Sequence, residues 1–193
     1  MLSEKLKDKH IILASGSPRR QELFKELGVK FTVLVKPVEE KYSHSLKAEE
    51  ITNYLAELKA SAFENELSEN TILITSDTIV WHNNMALEKP KNKYEAIKML
   101  QTLSGKHHQV ITSVCLKASK FQKTFFDVTT VYFKTLTLDE INYYVETFKP
   151  FDKAGGYGIQ EWIGFIGVTK LEGSYYNVMG LPIHKLYEEL LKL

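Results

Sequence analysis

His10-Ile11-Ile12-Leu13-Ala14-Ser15-Gly16-Ser17-Pro18-Arg19-Arg20 reads as a strand that breaks into a loop of small residues and re-enters order as a helix. Residues 10–14 are short and apolar, the pattern of a buried strand. Ser17 as N-cap and Pro18 at the first helical position make a strong helix start, and Gly28 closes the helix after about Leu27. A strand that ends in small residues at a helix N-terminus exposes unpaired N–H groups and the positive end of the helix dipole, which together suit an anion. Arg19 and Arg20 in that first turn oppose the dipole, and a bound phosphate chain would remove the conflict. The segment lacks the Gly-Lys-Ser/Thr ending of a P-loop.

Outward from this point, helices and strands alternate. Residues 31–35 read as a second strand and residues 37–45 as a polar loop. Ile51, Tyr54, Leu55, Leu58 and Ala62 keep helical spacing within a helix expected over residues 48–67. Residues 71–81 are β-branched and apolar, and Asn83-Asn84 turns the chain toward Leu87. A helix over 93–103 has Asn92 as N-cap, Glu95 at its third position and Gly105 as its stop. Residues 110–116 and 125–133 form an expected antiparallel hairpin. Thr137 with Glu140 caps a helix to about Phe148. Seven of the ten glycines fall between Gly155 and Gly180, around a strand expected over 163–171. An amphipathic helix over 181–193 ends the chain. With no repeat, low-complexity tract or Pro/Ser-rich linker, residues 1–193 read as one α/β unit.

Composition narrows the function. The chain has 193 residues and a formal net charge of +1, so no global basic field grips a nucleic-acid backbone. One cysteine, Cys115, excludes an internal disulfide or a thiolate cluster, and its apolar run places it in the core. No run approaches the ~20 apolar residues of a membrane span. The apolar stretch after the basic start is too short for a secretory leader, so a cytoplasmic protein is expected. Of the 25 basic residues, 23 are lysine, and Arg19 and Arg20 are the only arginines. A chain that uses lysine elsewhere keeps the planar, five-donor fork where phosphate or carboxylate geometry requires it.

Three further places carry chemistry. Asp77 is the one charge in a β-branched run, and burying it requires a partner or a metal. Its short side chain suits a metal ligand or general base. Lys59 on a helix and Lys89 before Pro90, which holds its predecessor extended, are candidate cleft cations. Asp152-Lys153-Ala154-Gly155-Gly156-Tyr157-Gly158-Ile159-Gln160 is a glycine-dense turn ending in an amide that both donates and accepts, as reading a base edge requires. His107-His108 is not a metal pair, because adjacent strand residues point to opposite faces.

In this order, these segments resemble the Maf family of nucleotide pyrophosphatases. The resemblance spans nearly the whole chain. It rests on residues 13–20, Asp77-Thr78-Ile79-Val80, Glu88-Lys89-Pro90, Leu103-Ser104-Gly105-Lys106-His107, residues 152–160, Gly173-Ser174-Tyr175 and Gly180-Leu181-Pro182. The resemblance implies two α/β lobes around a long mixed β-sheet with a central cleft, as in inosine triphosphatases. It implies hydrolysis of a nucleoside triphosphate to the monophosphate and pyrophosphate, against excess or altered nucleotides, with Mg²⁺ or Mn²⁺. The family's catalytic and metal-binding carboxylates fall on Asp77 and Glu40. Its substrate-binding residues fall on Ser15, Ser17, Arg19, Arg20, Lys59 and Lys89. The specificity positions fall on Arg19, Thr78 and Gln160, and that combination resembles the dTTP/UTP branch. The resemblance also implies a homodimer. The alternatives are a 7-methyl-GTP pyrophosphatase of the same family and an interaction protein restraining septum formation. Lys149 and Asn92 depart from the family's more common acidic residues.

Overall fold

The computed structural model describes all residues, Met1–Leu193. Its elements run α1 (Leu2–Lys5), β1 (His10–Leu13), α2 (Pro18–Lys25), β2 (Thr32–Val33), α3 (Glu49–Ser61), β3 (Thr71–His82), β4 (Met85–Leu87), α4 (Lys93–Leu103), β5 (His107–Ala118), β6 (Phe121–Phe133), α5 (Leu138–Phe148), α6 (Trp162–Gly167), β7 (Val168–Glu172), α7 (Tyr175–Val178) and α8 (Ile183–Leu190). The strands form one mixed sheet of order β2-β1-β3-β5-β6-β7, with β4 paired to β3. β1 is parallel to both neighbours, with Leu13 opposite Val33 and Ile74. β4 and β7 are antiparallel to β3 and β6 respectively. The mixed α/β class agrees with the sequence reading.

The chain divides into two compact units, each discontinuous in sequence. The first comprises residues 1–77, 112–127 and 180–193, the second residues 78–111 and 128–179. In the first, α3 packs Ala56, Ala60 and the following Phe63 against Ile12, Leu73 and Cys115. Two buried contacts set its height on the sheet: Thr75 Oγ1 donates to the Ala56 carbonyl at 2.6 Å, and the Thr52 and Ser113 hydroxyls meet at 2.6 Å. In the second unit, α4 and α5 bury Leu100, Leu103, Ile141 and Tyr144 with Val110, Val131 and Phe133.

At α4 and α5, capping chemistry behaves as the residue types dictate. Asn92 Oδ1 accepts from Glu95 N–H at 2.9 Å, and Thr137 with Glu140 forms a complete capping box. Asn92 is therefore a helix cap. Lys149 follows α5 in the left-handed conformation, with φ +46°, where a cation also suits the negative helix end.

Five expectations need correction, the first being the strand over 31–35, which is only Thr32–Val33. The strand expected over 163–171 is α6 followed by β7. Gly164 allows the helix, because a Cβ there would fall 1.9 Å from the Ile159 carbonyl oxygen. The helix expected over 48–67 stops at Ser61, and a 3-10 turn occupies Glu64–Glu66. Ser17 sits at the N-cap of α2, but its side chain makes no capping bond. The hairpin strands β5 and β6 are longer than their apolar runs suggested. No helix is long and apolar enough to cross a membrane.

Candidate active site

Parallel pairing brings the first group together. The ladder between β1 and β3 ends at Leu13 opposite Ile74, and Ala14 N–H still donates to the Ile74 carbonyl at 2.8 Å. One step further, the loop Ser15-Gly16-Ser17 leaves the sheet beside Thr75-Ser76-Asp77. Ser15 is buried; its hydroxyl accepts from Ser17 N–H at 3.3 Å and its carbonyl from Gln21 Nε2 at 2.9 Å. The loop is thus held by its own side chains ahead of α2.

Asp77 is buried at 7% exposure, so its carboxylate needs a partner. The partner comes from α3. Ala56 is tied to Thr75, and Lys59 lies one helical turn on, as Asp77 lies two strand residues on. Lys59 Nζ stands 2.6 Å from Asp77 Oδ1 and 3.3 Å from Glu40 Oε2. Glu40 is exposed, in the loop between β2 and α3. One ammonium therefore bridges the two carboxylates that the family resemblance singles out.

Arg20 is anchored in the same unit. Its Nε donates to the Gly180 carbonyl at 2.7 Å, and one Nη to the Ser76 carbonyl at 3.1 Å. Burial lowers the pKa of its guanidinium; the charges of Asp77 and Glu40 oppose that shift and Arg19 adds to it. Three charges, those of Asp77, Arg19 and Glu40, therefore act on Arg20 at the start of α2. Arg19 is half-buried.

Thr78, Lys89 and Gln160 belong to the second unit. Thr78 follows Asp77 on β3 and faces the other way, as strand alternation requires. Lys89 is exposed, and the preceding residue is tied to the glycine loop by Gly155 N–H donating to the Glu88 carbonyl at 3.1 Å. Gln160 is half-buried at the end of that loop. His107 is exposed and His108 buried, as adjacent strand residues facing opposite ways should be. A surface pocket of about 730 Å³ in this unit, lined by Trp81, His82, Lys106, His107 and Tyr132 among others, contains none of the candidate residues.

Sequence reasoning missed the supports. The carbonyls of Ser76 and Gly180 that hold Arg20 have no side-chain signature, and Gln21 is an unremarkable helix residue until its amide is seen on Ser15.

A buried aspartate paired with a lysine, within the field of Arg20 and beside the loop that opens α2, marks a highly charged, largely buried group in this α/β protein. The family model described as Maf-like protein matches residues 10–193, and the chain belongs to the Maf family. A dTTP/UTP pyrophosphatase of Flavobacterium johnsoniae is 61% identical over 193 residues, covering the whole of both chains. One of Christiangramia forsetii is 58% identical over 98% of this chain and 97% of its own. One of Bacteroides fragilis is 54% identical over 95% of each. Among solved structures, the Staphylococcus aureus Ham1 protein covers 65% of this chain and 72% of its own, at 19% identity and a TM-score of 0.48.

Proposed function

We propose that this chain hydrolyses dTTP and UTP to the nucleoside monophosphate and pyrophosphate. The observation that carries the reading is the buried Asp77 carboxylate held by Lys59 beside Glu40 and the α2 arginines. The full-length relatives that bear this activity in their names support the choice of nucleotide.

Water is a poor nucleophile, and Asp77 supplies the general base. As the water oxygen bonds to the α-phosphorus, Asp77 takes its proton. The bond from that phosphorus to the bridging oxygen breaks, and pyrophosphate leaves with the electron pair. A triphosphate carries about four negative charges, and Arg19, Arg20, Lys59 and Lys89 offset them, with arginine forks suited to pairs of phosphate oxygens. Ser15 and Ser17 contribute the loop backbone and hydroxyls. Gln160 reads the base edge, with Thr78 and Arg19 setting the branch.

Asp77 and Glu40 also fit a divalent cation. Mg²⁺ is usually held by one or two carboxylates together with substrate phosphates and water, and the structure has no cluster of three or more such side chains. Bound with the nucleotide, Mg²⁺ or Mn²⁺ would supply positive charge to the phosphates. A homodimer and a cytoplasmic location are part of the same proposal.

A pyrophosphate-release assay on UTP, dTTP, CTP and 7-methyl-GTP, with Mg²⁺, Mn²⁺ or chelator, tests it. UTP and dTTP should be fastest and chelator should stop the reaction. Preference for 7-methyl-GTP would overturn the branch, and no release from any nucleotide would overturn the activity.

A further inference from the structure

The turn that ends in Gln160 is built around a chain of polar groups centred on the buried Lys153 and Tyr144. Lys153 is 8% exposed, and its Nζ lies 2.7 Å from Asp152 Oδ1 and 2.9 Å from Glu161 Oε1. The other Glu161 oxygen, Oε2, accepts from the phenol of Tyr144, a fully buried residue of α5. Tyr144 Oη in turn accepts the N–H of Gly158 at 3.0 Å. Burial, with the bond to Glu161, pushes the Tyr144 phenol well above its ordinary pKa. The phenol therefore keeps its proton and donates its hydrogen bond to Glu161, which leaves an oxygen lone pair for Gly158. Each link has one polarity.

Glycine makes the arrangement possible at one position. A Cβ on Gly158 would lie 2.8 Å from Glu161 Cδ, so a side chain there would displace the carboxylate. Glu161 N–H donates back to the Gly158 carbonyl at 3.0 Å. Gln160 thus lies inside a four-residue turn whose two ends are both tied to Tyr144, one directly and one through a carboxylate. Stability alone gives little reason for such a network, because a part-buried ion pair adds little over a well-packed apolar set. A fully satisfied polar network does rigidify what it holds.

We propose that Tyr144 and Glu161, backed by Lys153, are positioning residues for base selection, holding the 158–161 turn so that the Gln160 amide meets the base in one register. The inference rests on the reading of Gln160 as the residue that contacts the base. Hydrogen-bond discrimination needs donor and acceptor placed within about 0.5 Å. None of the three residues is assigned a contact with substrate, so their loss should appear in selectivity and KM while kcat stays near wild type.

Pyrophosphate release from UTP and from CTP, with a melting curve for each protein, tests the proposal on wild type, Tyr144→Phe, Glu161→Gln, Glu161→Ala and Gln160→Ala. Tyr144→Phe keeps the ring stacked on Phe148 and removes only the hydroxyl. Its UTP-over-CTP ratio of kcat/KM should fall about tenfold, through KM for UTP. Glu161→Gln still offers the phenol an oxygen and should keep most of the ratio, whereas Glu161→Ala should lose it. If Tyr144→Phe does not fold, the two Glu161 variants decide by the same contrast. A merely structural role would lower the melting temperature and slow both nucleotides equally, which overturns the proposal. Gln160→Ala separates the two claims. An unchanged ratio there refutes the reading of Gln160, whereas a collapsed ratio there with a wild-type ratio in Tyr144→Phe refutes only the positioning role.

Discussion

Lys59 Nζ stands 2.6 Å from Asp77 Oδ1, with the Lys59 side chain 17% exposed and that of Asp77 9% exposed. Each charge is the other's partner in a mostly buried setting, and the pair fixes the carboxylate's direction. Asp77→Asn keeps an oxygen for the ammonium, so the fold should survive. The amide cannot take a proton from water, and turnover should fall by more than about a hundredfold. Measured pyrophosphate release near the wild-type rate would remove Asp77 from the mechanism.

Both arginines should matter for activity. Arg19→Lys keeps the charge and loses the bidentate fork, so kcat/KM should drop about tenfold or more. Arg20→Lys loses the same fork and also the bonds to the Gly180 and Ser76 carbonyls. It should cost about 2 kcal/mol of stability as well as activity. Denaturant midpoints measured beside kcat/KM check both parts. Full efficiency in Arg19→Lys would leave the arginine pair as mere composition, and an unchanged midpoint in Arg20→Lys would deny the anchor.

What could be read beforehand follows the range of the interactions. The starts of α2, α4 and α5 were legible because Pro18 at the first helical position, Asn92 with Glu95, and Thr137 with Glu140 act within one turn. Asp77 was legible as a buried charge because its neighbours are β-branched, yet nothing local named Lys59 as its partner. Arg20 was legible as unusual, but its carbonyl partners lie 56 and 160 residues away. The run from Ile163 to Leu171 misled because Ile163, Phe165 and Ile166 suit a strand as well as a helix. There the packing of Gly164 against Ile159 decides, and that contact has no signature in the run itself. Tyr144 and Glu161 looked like ordinary helix and loop residues until their shared hydrogen bonds were seen.

Gly155 tests how tightly the glycine loop is held. Its φ is +69°, and a Cβ there would lie 2.7 Å from Val80 Cγ2. Alanine would therefore meet both backbone strain and a buried side chain, at a combined cost of about 2–3 kcal/mol. Gly28 has nearly the same φ of +67° but open space around it, so Gly28→Ala should cost only about 1 kcal/mol. Urea midpoints for the two variants check the difference. Equal losses would show that the contact with Val80 relaxes.

Acid should destabilise the second unit through His108. The ring is 2% exposed, with Nε2 2.7 Å from the Tyr157 hydroxyl and edge-to-face contacts to Phe133 and Tyr157. Burial lowers its pKa from 6.5 to about 3, and the nearby His82 and His107 act in the same direction. The unfolded chain therefore binds a proton below about pH 6.5 that the folded chain refuses until about pH 3. Stability is fully present above the unfolded value and is lost as pH falls between the two. From one such group the loss at pH 5 is about 2 kcal/mol. His82, also lowered mainly by burial, adds to the same slope. His108→Gln keeps a hydrogen-bonding group for Tyr157 and cannot take up the proton. Its melting temperature should change less than that of wild type between pH 7.5 and pH 5, even if it starts lower. Parallel pH profiles for the two proteins would mean that His108 is protonated in the folded state at pH 5 and that its burial does not govern the acid limb.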